Sequence, residues 1–273
     1  MTLYARPSDL TRALALRAGG ARVLAGGTDV YPGAAVAGDV LDVSGVTALH
    51  GISRGDGLRI GAAVTWSEIA EAELPGACAA LQMAARAVGG RQVQNAGTLA
   101  GNLCNASPAA DGIPPLLVLG AEVELASVRG VRRLALAAFV LGPRRTALQA
   151  DEVLVAVHVP AAALAGRSVF AKLGARAYLV ISIASVAVRL VVVDGVVTEA
   201  FVAVGACSAV AVRLGLVEAA LVGVAVGQLR AAVRAADMAV LTPIDDVRAT
   251  AAYRLEAAAE MVARAVAECG GQA

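Results

Sequence analysis

Charge is what this sequence has least of. Lys, Arg, Asp and Glu make up 16% of its 273 residues while 58% are hydrophobic, against about 25% charged residues in an average globular chain. Two explanations stay open: an Ala/Val-rich core beneath ordinary surfaces, or a subunit that buries extra apolar surface against partners. The few charges nearly cancel, with a formal net charge of +1, and the arginines are scattered, so there is no electrostatic footprint for nucleic acid. Long hydrophobic runs are missing too. The charge-free apolar stretch at residues 153–166 falls short of the ~18 residues a membrane span needs, and it carries His158 and Pro160. Arg6, Asp9 and Arg12 stand where a secretory signal would need an apolar segment, so the expected location is the cytoplasm. Cys78, Cys104, Cys207 and Cys269 are too widely spaced for a zinc ribbon, a CxxC pair or an iron–sulfur run. Neither disulfides nor a resident metal are expected.

The length suits about two domains of roughly 100–200 residues each. Ser8 reads as the cap of a helix through Ala18 that Gly19-Gly20 ends, followed by a strand at 22–25, the turn Gly26-Gly27-Thr28-Asp29 and then a helix. A second strand is expected at 41–43. Residues 51–53 and 58–60 flank Arg54-Gly55-Asp56-Gly57 as a hairpin. Thr65 caps a helix to Glu71, and Pro75-Gly76 precedes another to Val88. The segment 89–108 reads as a long glycine-bearing loop, which a compact domain keeps only for a purpose. Strands are expected at 122–126 and 153–159. Beyond Phe170, residues 182–193 and 197–204 form a hairpin around Asp194-Gly195. Thr242-Pro243 with Asp245 and Asp246 reads as a helix start, with Val247, Ala251, Leu255, Ala258, Val262 and Val266 on one face.

Two glycine-bearing loops carry the chemistry: Ala25-Gly26-Gly27-Thr28-Asp29 and Asn95-Ala96-Gly97-Thr98-Leu99-Ala100-Gly101-Asn102. Glycine lets backbone N–H groups approach an anion, and a following helix adds its positive end, so two such loops suit the pyrophosphate of a dinucleotide. Neither matches GxGxxG, and a Gly-Gly pair also makes an ordinary turn. Both readings stand on pattern alone.

The order and separation of these loops, with Gly97-Thr98-Leu99-Ala100-Gly101-Asn102 running on through Leu103-Cys104-Asn105-Ala106-Ser107-Pro108-Ala109-Ala110 to Asp111, resemble the FAD-binding subunit of molybdenum-containing hydroxylases, the family of xanthine and carbon monoxide dehydrogenases. Lys172-Leu173-Gly174-Ala175-Arg176, Val204-Gly205-Ala206-Cys207-Ser208, and Pro243-Ile244-Asp245-Asp246-Val247-Arg248 with Tyr253-Arg254 extend the resemblance over nearly the whole chain. It implies an α+β fold in which two small α/β subdomains (1–165, seam near 50–57) bind FAD, followed by a C-terminal domain of antiparallel strands and helices (167–273). It carries over Val23, Leu24, Ala25, Gly26, Gly27, Thr28, Asp29 and Val30 of the first loop, and Thr98, Leu99, Ala100, Gly101 and Asn102 of the second, as FAD residues. Asp111 is then an acceptor for sugar hydroxyls or a cap of the next turn. Leu154 packs on the cofactor, and Lys172 is either a cation beside the flavin ring or a solvated strand end. The chain departs from the family at Ala100, where glycine is common, and at Tyr178-Leu179, where many members have an acid. Tyr178 either lies near the flavin or packs.

Trp66 is expected at a helix start rather than on the flavin, His50 and His158 are expected to be structural, and Arg129, Arg132, Arg133, Arg144 and Arg145 read as solvated turns or partner contacts. The resemblance also implies partners: a large molybdenum-cofactor subunit and a small [2Fe-2S] subunit in a dimer of heterotrimers, with NAD or a quinone as electron acceptor. No acid–base pair presents itself. The rivals are a stand-alone flavin oxidoreductase of the same superfamily, such as a cell-wall enolpyruvyl reductase, and a scaffold subunit without flavin.

Overall fold

The computed structural model describes residues 3–31 and 38–271. At the N-terminus β1 (Tyr4–Ala5), α1 (Leu10–Ala18), β2 (Arg22–Leu24) and β3 (Val40–Asp42) contribute a small parallel sheet in the order β1-β3-β2. Asp9, not Ser8, caps α1. It is the extended residue immediately before the helix, and its carboxylate accepts the Arg12 N–H at 2.8 Å. After β2 the chain closes one turn on the Gly27 carbonyl, which accepts from Val30 and Tyr31 at 2.9 Å. The helix expected here is not formed through Tyr31, and residues 32–37 lie outside the described residues.

The expected hairpin is β4 (Ile52–Gly55) and β5 (Gly57–Gly61). Short helices follow: α2 (Trp66–Glu71), α3 (Ala79–Ala87), α4 (Arg91–Ala96), α5 (Leu99–Asn105) and α6 (Ile113–Val118). Next come β6 (Glu122–Ser127), β7 (Gly130–Ala135), the single turn α7 (Leu136–Phe139), a ribbon of β8 (Val140–Gly142) and β9 (Arg145–Thr146), and β10 (Val153–Val159). Strands β4, β5, β10, β6 and β7, in that order, make an antiparallel sheet. Thr65 and Glu68 close a capping box on α2. The segment 89–108 is therefore not an irregular loop but mostly α4 and α5. Thr98 starts α5 by accepting the Gly101 N–H at 3.0 Å, which offsets the weak helix propensity of Gly101 and Asn102.

The last sheet is antiparallel, in the order β11 (Arg167–Leu173), β12 (Ala184–Val193), β13 (Val196–Gly205), β14 (Val212–Arg213). It is followed by α8 (Gly215–Leu221), α9 (Leu229–Ala235) and α10 (Ala251–Cys269). Asp194 and Gly195, with φ of 50° and 75°, supply the left-handed pair that a tight hairpin requires. Val186 and Val188 of β12 pack toward Val262 and Val266 of α10, whereas Ala187 joins the core that holds α3 and α6. Burial on both faces explains why β12 reads as a continuous apolar run without alternation.

The start of α10 differs from expectation. Thr242-Pro243 begins no helix; Thr250 caps α10 by accepting from Tyr253 at 3.2 Å. Asp245 accepts the N–H of Ala251, the first residue of α10, from outside the helix, and Asp246 accepts the Arg248 N–H of its own loop at 2.8 Å. Val247 is consequently 98% exposed and Leu255 lies off the buried face, which Ala258, Val262 and Val266 do occupy. Arg129 is an exposed turn residue as expected, while Arg132 and Arg133 are exposed on β7. They pair with Asp151, Glu152 and Glu124 at 2.8, 2.6 and 3.0 Å. His158 bonds Glu124 at 2.8 Å and His50 the Ser44 carbonyl at 3.0 Å.

Candidate cofactor cleft

A cleft of about 810 Å³ runs between the first loop, the α4–α5 segment and the β11–β12 edge. That is large for a ligand site, within the ~300–1,000 Å³ range of such pockets. Val23, Ala25, Gly26, Gly27, Thr28, Asp29, Val30, Thr98, Ala100, Gly101, Asn102, Asp111, Leu154 and Lys172 all line it. Leu24 and Leu99 do not. At 7% and 0% exposure they point into the core, because neighbours in a strand, or on opposite sides of a helix, cannot face the same cavity.

The glycines have separate jobs. A Cβ on Gly26 would fall 1.8 Å from the Ala96 carbonyl oxygen, so Gly26 lets the two loops touch backbone to backbone. Gly27 has φ of 70°, a left-handed conformation that favours glycine. Among the described residues, the N–H groups of Gly26, Gly27, Thr28 and Asp29 donate to no protein acceptor. At α5 the first donors are already engaged: Leu99 to Val64, Ala100 to Ala62 and Gly101 to the Thr98 hydroxyl. The open anion cradle therefore belongs to the first loop, and the second loop acts mainly as its wall. Asn102 Oδ1 is buried without a donor, an acceptor left for a ligand.

Lys172, also on the cleft lining, is partly buried, its side chain 12% exposed, and its ammonium donates to Asp111 at 2.6 Å and to the Ala87 carbonyl at 3.1 Å. The solvated reading of Lys172 is thereby excluded. Ser182 donates to the other Asp111 oxygen at 2.6 Å. Burial pushes the Asp111 carboxyl above its ordinary range, opposed by the Lys172 charge and by both hydrogen bonds. Asp111 does not cap α6, which begins at Ile113 after Gly112 without a side-chain cap.

Sequence reading missed several cleft residues. Asn105 donates to Asp29 at 2.7 Å and accepts from Arg144 at 2.7 Å, bridging first loop, α5 and the β8–β9 turn. Arg144 has φ of 54°, a turn geometry no local signal announces. Trp66 starts α2 as expected, yet the residue, though buried, also lies on the cleft lining. Leu179, Val180 and Ile181 close the Lys172 end, while Tyr178 beside them is 77% exposed.

The family described as "FAD binding domain in molybdopterin dehydrogenase" matches residues 1–162, and "CO dehydrogenase flavoprotein C-terminal domain" matches 170–269. The chain belongs to this FAD-binding family. FAD is accordingly its cofactor, and the open N–H cradle, the unsatisfied acceptor and the cleft volume fit a dinucleotide. The nicotine 6-hydroxylase medium subunit of Paenarthrobacter nicotinovorans is 30% identical, the match covering 98% of this chain and 97% of that one. The xanthine dehydrogenase FAD-binding subunit of Escherichia coli O157:H7 is 36% identical over 58% of this chain, a match spanning 57% of that subunit's length. The carbon monoxide dehydrogenase structure from Hydrogenophaga pseudoflava superposes with a TM-score of 0.88 at 27% identity, covering 99% of this chain and 98% of that one. The α+β architecture expected for the family is the one found.

Proposed function

We propose that this chain is the FAD-binding electron-transfer subunit of a multi-subunit molybdenum hydroxylase. The observation that carries this reading is that one cleft is lined both by Gly26–Asp29, whose N–H groups donate to no protein acceptor among the described residues, and by the largely buried Lys172–Asp111 pair. The first suits a diphosphate and the second a redox-active ring. The N–H groups of the first loop hold the pyrophosphate, Leu154 packs on the cofactor, Asp111 offers an acceptor to its sugar hydroxyls, and Lys172 places positive charge at the ring. FAD, when bound, supplies a centre that stores two electrons. Residues 1–165 carry the cleft's loops as two subdomains meeting near 50–57, and 167–273 add the strand bearing Lys172 and the segment at 179–181.

Electrons arrive from [2Fe-2S] clusters of a small partner subunit, the substrate being oxidised on a large molybdenum subunit, and leave to NAD or a quinone. Names of relatives such as "medium subunit" and "FAD-subunit" support this place in an assembly, as does the low charge content. The assembly is a dimer of heterotrimers in the cytoplasm; among the described residues no helix is long and apolar enough to cross a membrane. A stand-alone reductase would need a proton donor at the ring, and there Lys172 and Asp111 are committed to each other. Co-expression with candidate molybdenum and iron–sulfur subunits and isolation of the complex tests the reading. One FAD per copy, released by acid and reduced only when the partners and their substrate are present, is the expected result. Turnover of an organic substrate by this chain alone would overturn it.

A further inference from the structure

Two of the sequence motifs have no part in the cleft: Val204-Gly205-Ala206-Cys207-Ser208 and the Asp246 to Arg254 segment. Arg254 sits on α10, yet its guanidinium is 4% exposed and points away from solvent. Its Nη1 donates to two carbonyls, those of Ile183 and Ala206, the latter at 3.0 Å, and its Nη2 pairs with Asp246 at 2.7 Å. Its Nε has no partner. A buried guanidinium with one donor unmet costs several kcal/mol unless its bonds are used. The two carbonyls belong to the two segments that deliver the Lys172 end of the cleft. Ile183 follows Ser182, which holds Asp111, and its own N–H holds the carbonyl of Leu173, the residue after Lys172, at 2.8 Å. Ala206 donates to the Pro108 carbonyl at 2.9 Å, three residues before Asp111.

We propose that Arg254, anchored by Asp246, is a positioning residue that sets the Lys172–Asp111 pair at the flavin end of the cleft. The inference rests on the proposed place of Lys172 beside the ring. Arg254 touches neither the cleft nor the pair. It fixes the distance between the segment carrying Ser182 and the segment carrying Asp111, and so decides where the ammonium lies. A hydrophobic side chain in its place fills the same space but holds neither carbonyl.

The test is spectroelectrochemistry of the FAD-loaded full chain in wild type, Lys172→Met, Arg254→Met and the double variant, with Val262→Ala in the α10 core as a destabilised control. Arg254→Met should lower the two-electron potential by about 14 mV for a threefold loss of reduced-state preference. The double variant should lie no lower than Lys172→Met, because both changes act through one ammonium. Val262→Ala should lose thermal stability and keep its potential. If Arg254→Met does not fold, Asp246→Asn, which leaves Arg254 buried without its counter-charge, answers by the same readout. A wild-type potential in the Arg254 or Asp246 variant, or an additive double variant, overturns the positioning role and leaves the cleft assignment standing. An unchanged potential in Lys172→Met removes the place of Lys172 at the ring, and the positioning role with it.

Discussion

Lys172 is the residue whose environment does most to set its chemistry. Its ammonium is largely withdrawn from solvent and fixed by Asp111 and a backbone carbonyl. A fixed cation favours the negative charge that reduction places on a flavin. Lys172→Met should therefore lower the two-electron potential, by about 30 mV for each tenfold loss of reduced-state stabilisation, while oxidised FAD still binds; an unchanged titration midpoint would refute this. Gly26 is limiting in a different way. Gly26→Ala sets a methyl where the Ala96 carbonyl stands, 1.8 Å from its oxygen, so the two loops must part. Expected are a loss of stability of about 1–3 kcal/mol, as for other overpacked sites, and FAD affinity reduced at least tenfold. Urea unfolding and fluorescence titration measure both. Stoichiometric, tight FAD in that variant would show that contact between the loops is not what shapes the cradle.

Elements follow from their caps more than from their composition. The β12–β13 hairpin was legible because Asp194-Gly195 announces its turn between apolar runs. Helices α4 and α5 were not, since each is barely two turns long and α5 begins with Gly101 and Asn102 in its first residues. Their stability comes from the Thr98 cap and from packing, which a periodicity window does not register. The start of α10 was misread because Asp245 and Asp246 look like first-turn acids but lie ahead of the helix, Asp245 accepting its first N–H from outside and Asp246 accepting from the loop and from Arg254. Asp246 is held down to about 2 from an ordinary 3.8, first by the Arg248 N–H, with Arg254 and the Arg248 side chain adding to it. The folded chain thus binds this proton more weakly than the unfolded chain. The stability that Asp246 contributes is complete above about pH 4 and is lost as the pH falls toward 2. Wild type should lose more stability than Asp246→Asn over that window in denaturant unfolding, and parallel curves would contradict it.

For the whole molecule the governing fact is that the cleft draws on both halves of the chain. Lys172 and residues 179–181 come from the C-terminal half, the glycine loops from the N-terminal half, and Phe170, Ala187 and Ala203 pack into the core that holds α3 and α6. Ligand binding to such a site stabilises both halves together. FAD at 100 times its Kd should add about 2.7 kcal/mol, raising Tm by roughly 5–11 °C for a chain this long. Calorimetry should show the whole unfolding envelope move. A shift confined to part of it would mean that the halves melt independently.

By itself the sequence determined the family and the cofactor class and singled out both glycine loops, because those depend on residue types at set spacings along the chain. It also implied Asp111 and Lys172 as cofactor residues, though not that they hold each other. Their partnership, the bridge from Asp29 through Asn105 to Arg144, and the exclusion of Leu24 and Leu99 were decided only by tertiary structure. Each depends on which segments meet in space. The bond from Lys172 to Asp111 spans 61 positions and the one from Arg254 to Ile183 spans 71. No local pattern encodes which donor a buried acceptor will find at such separations; the packing of β12 between α10 and the α3–α6 layer does.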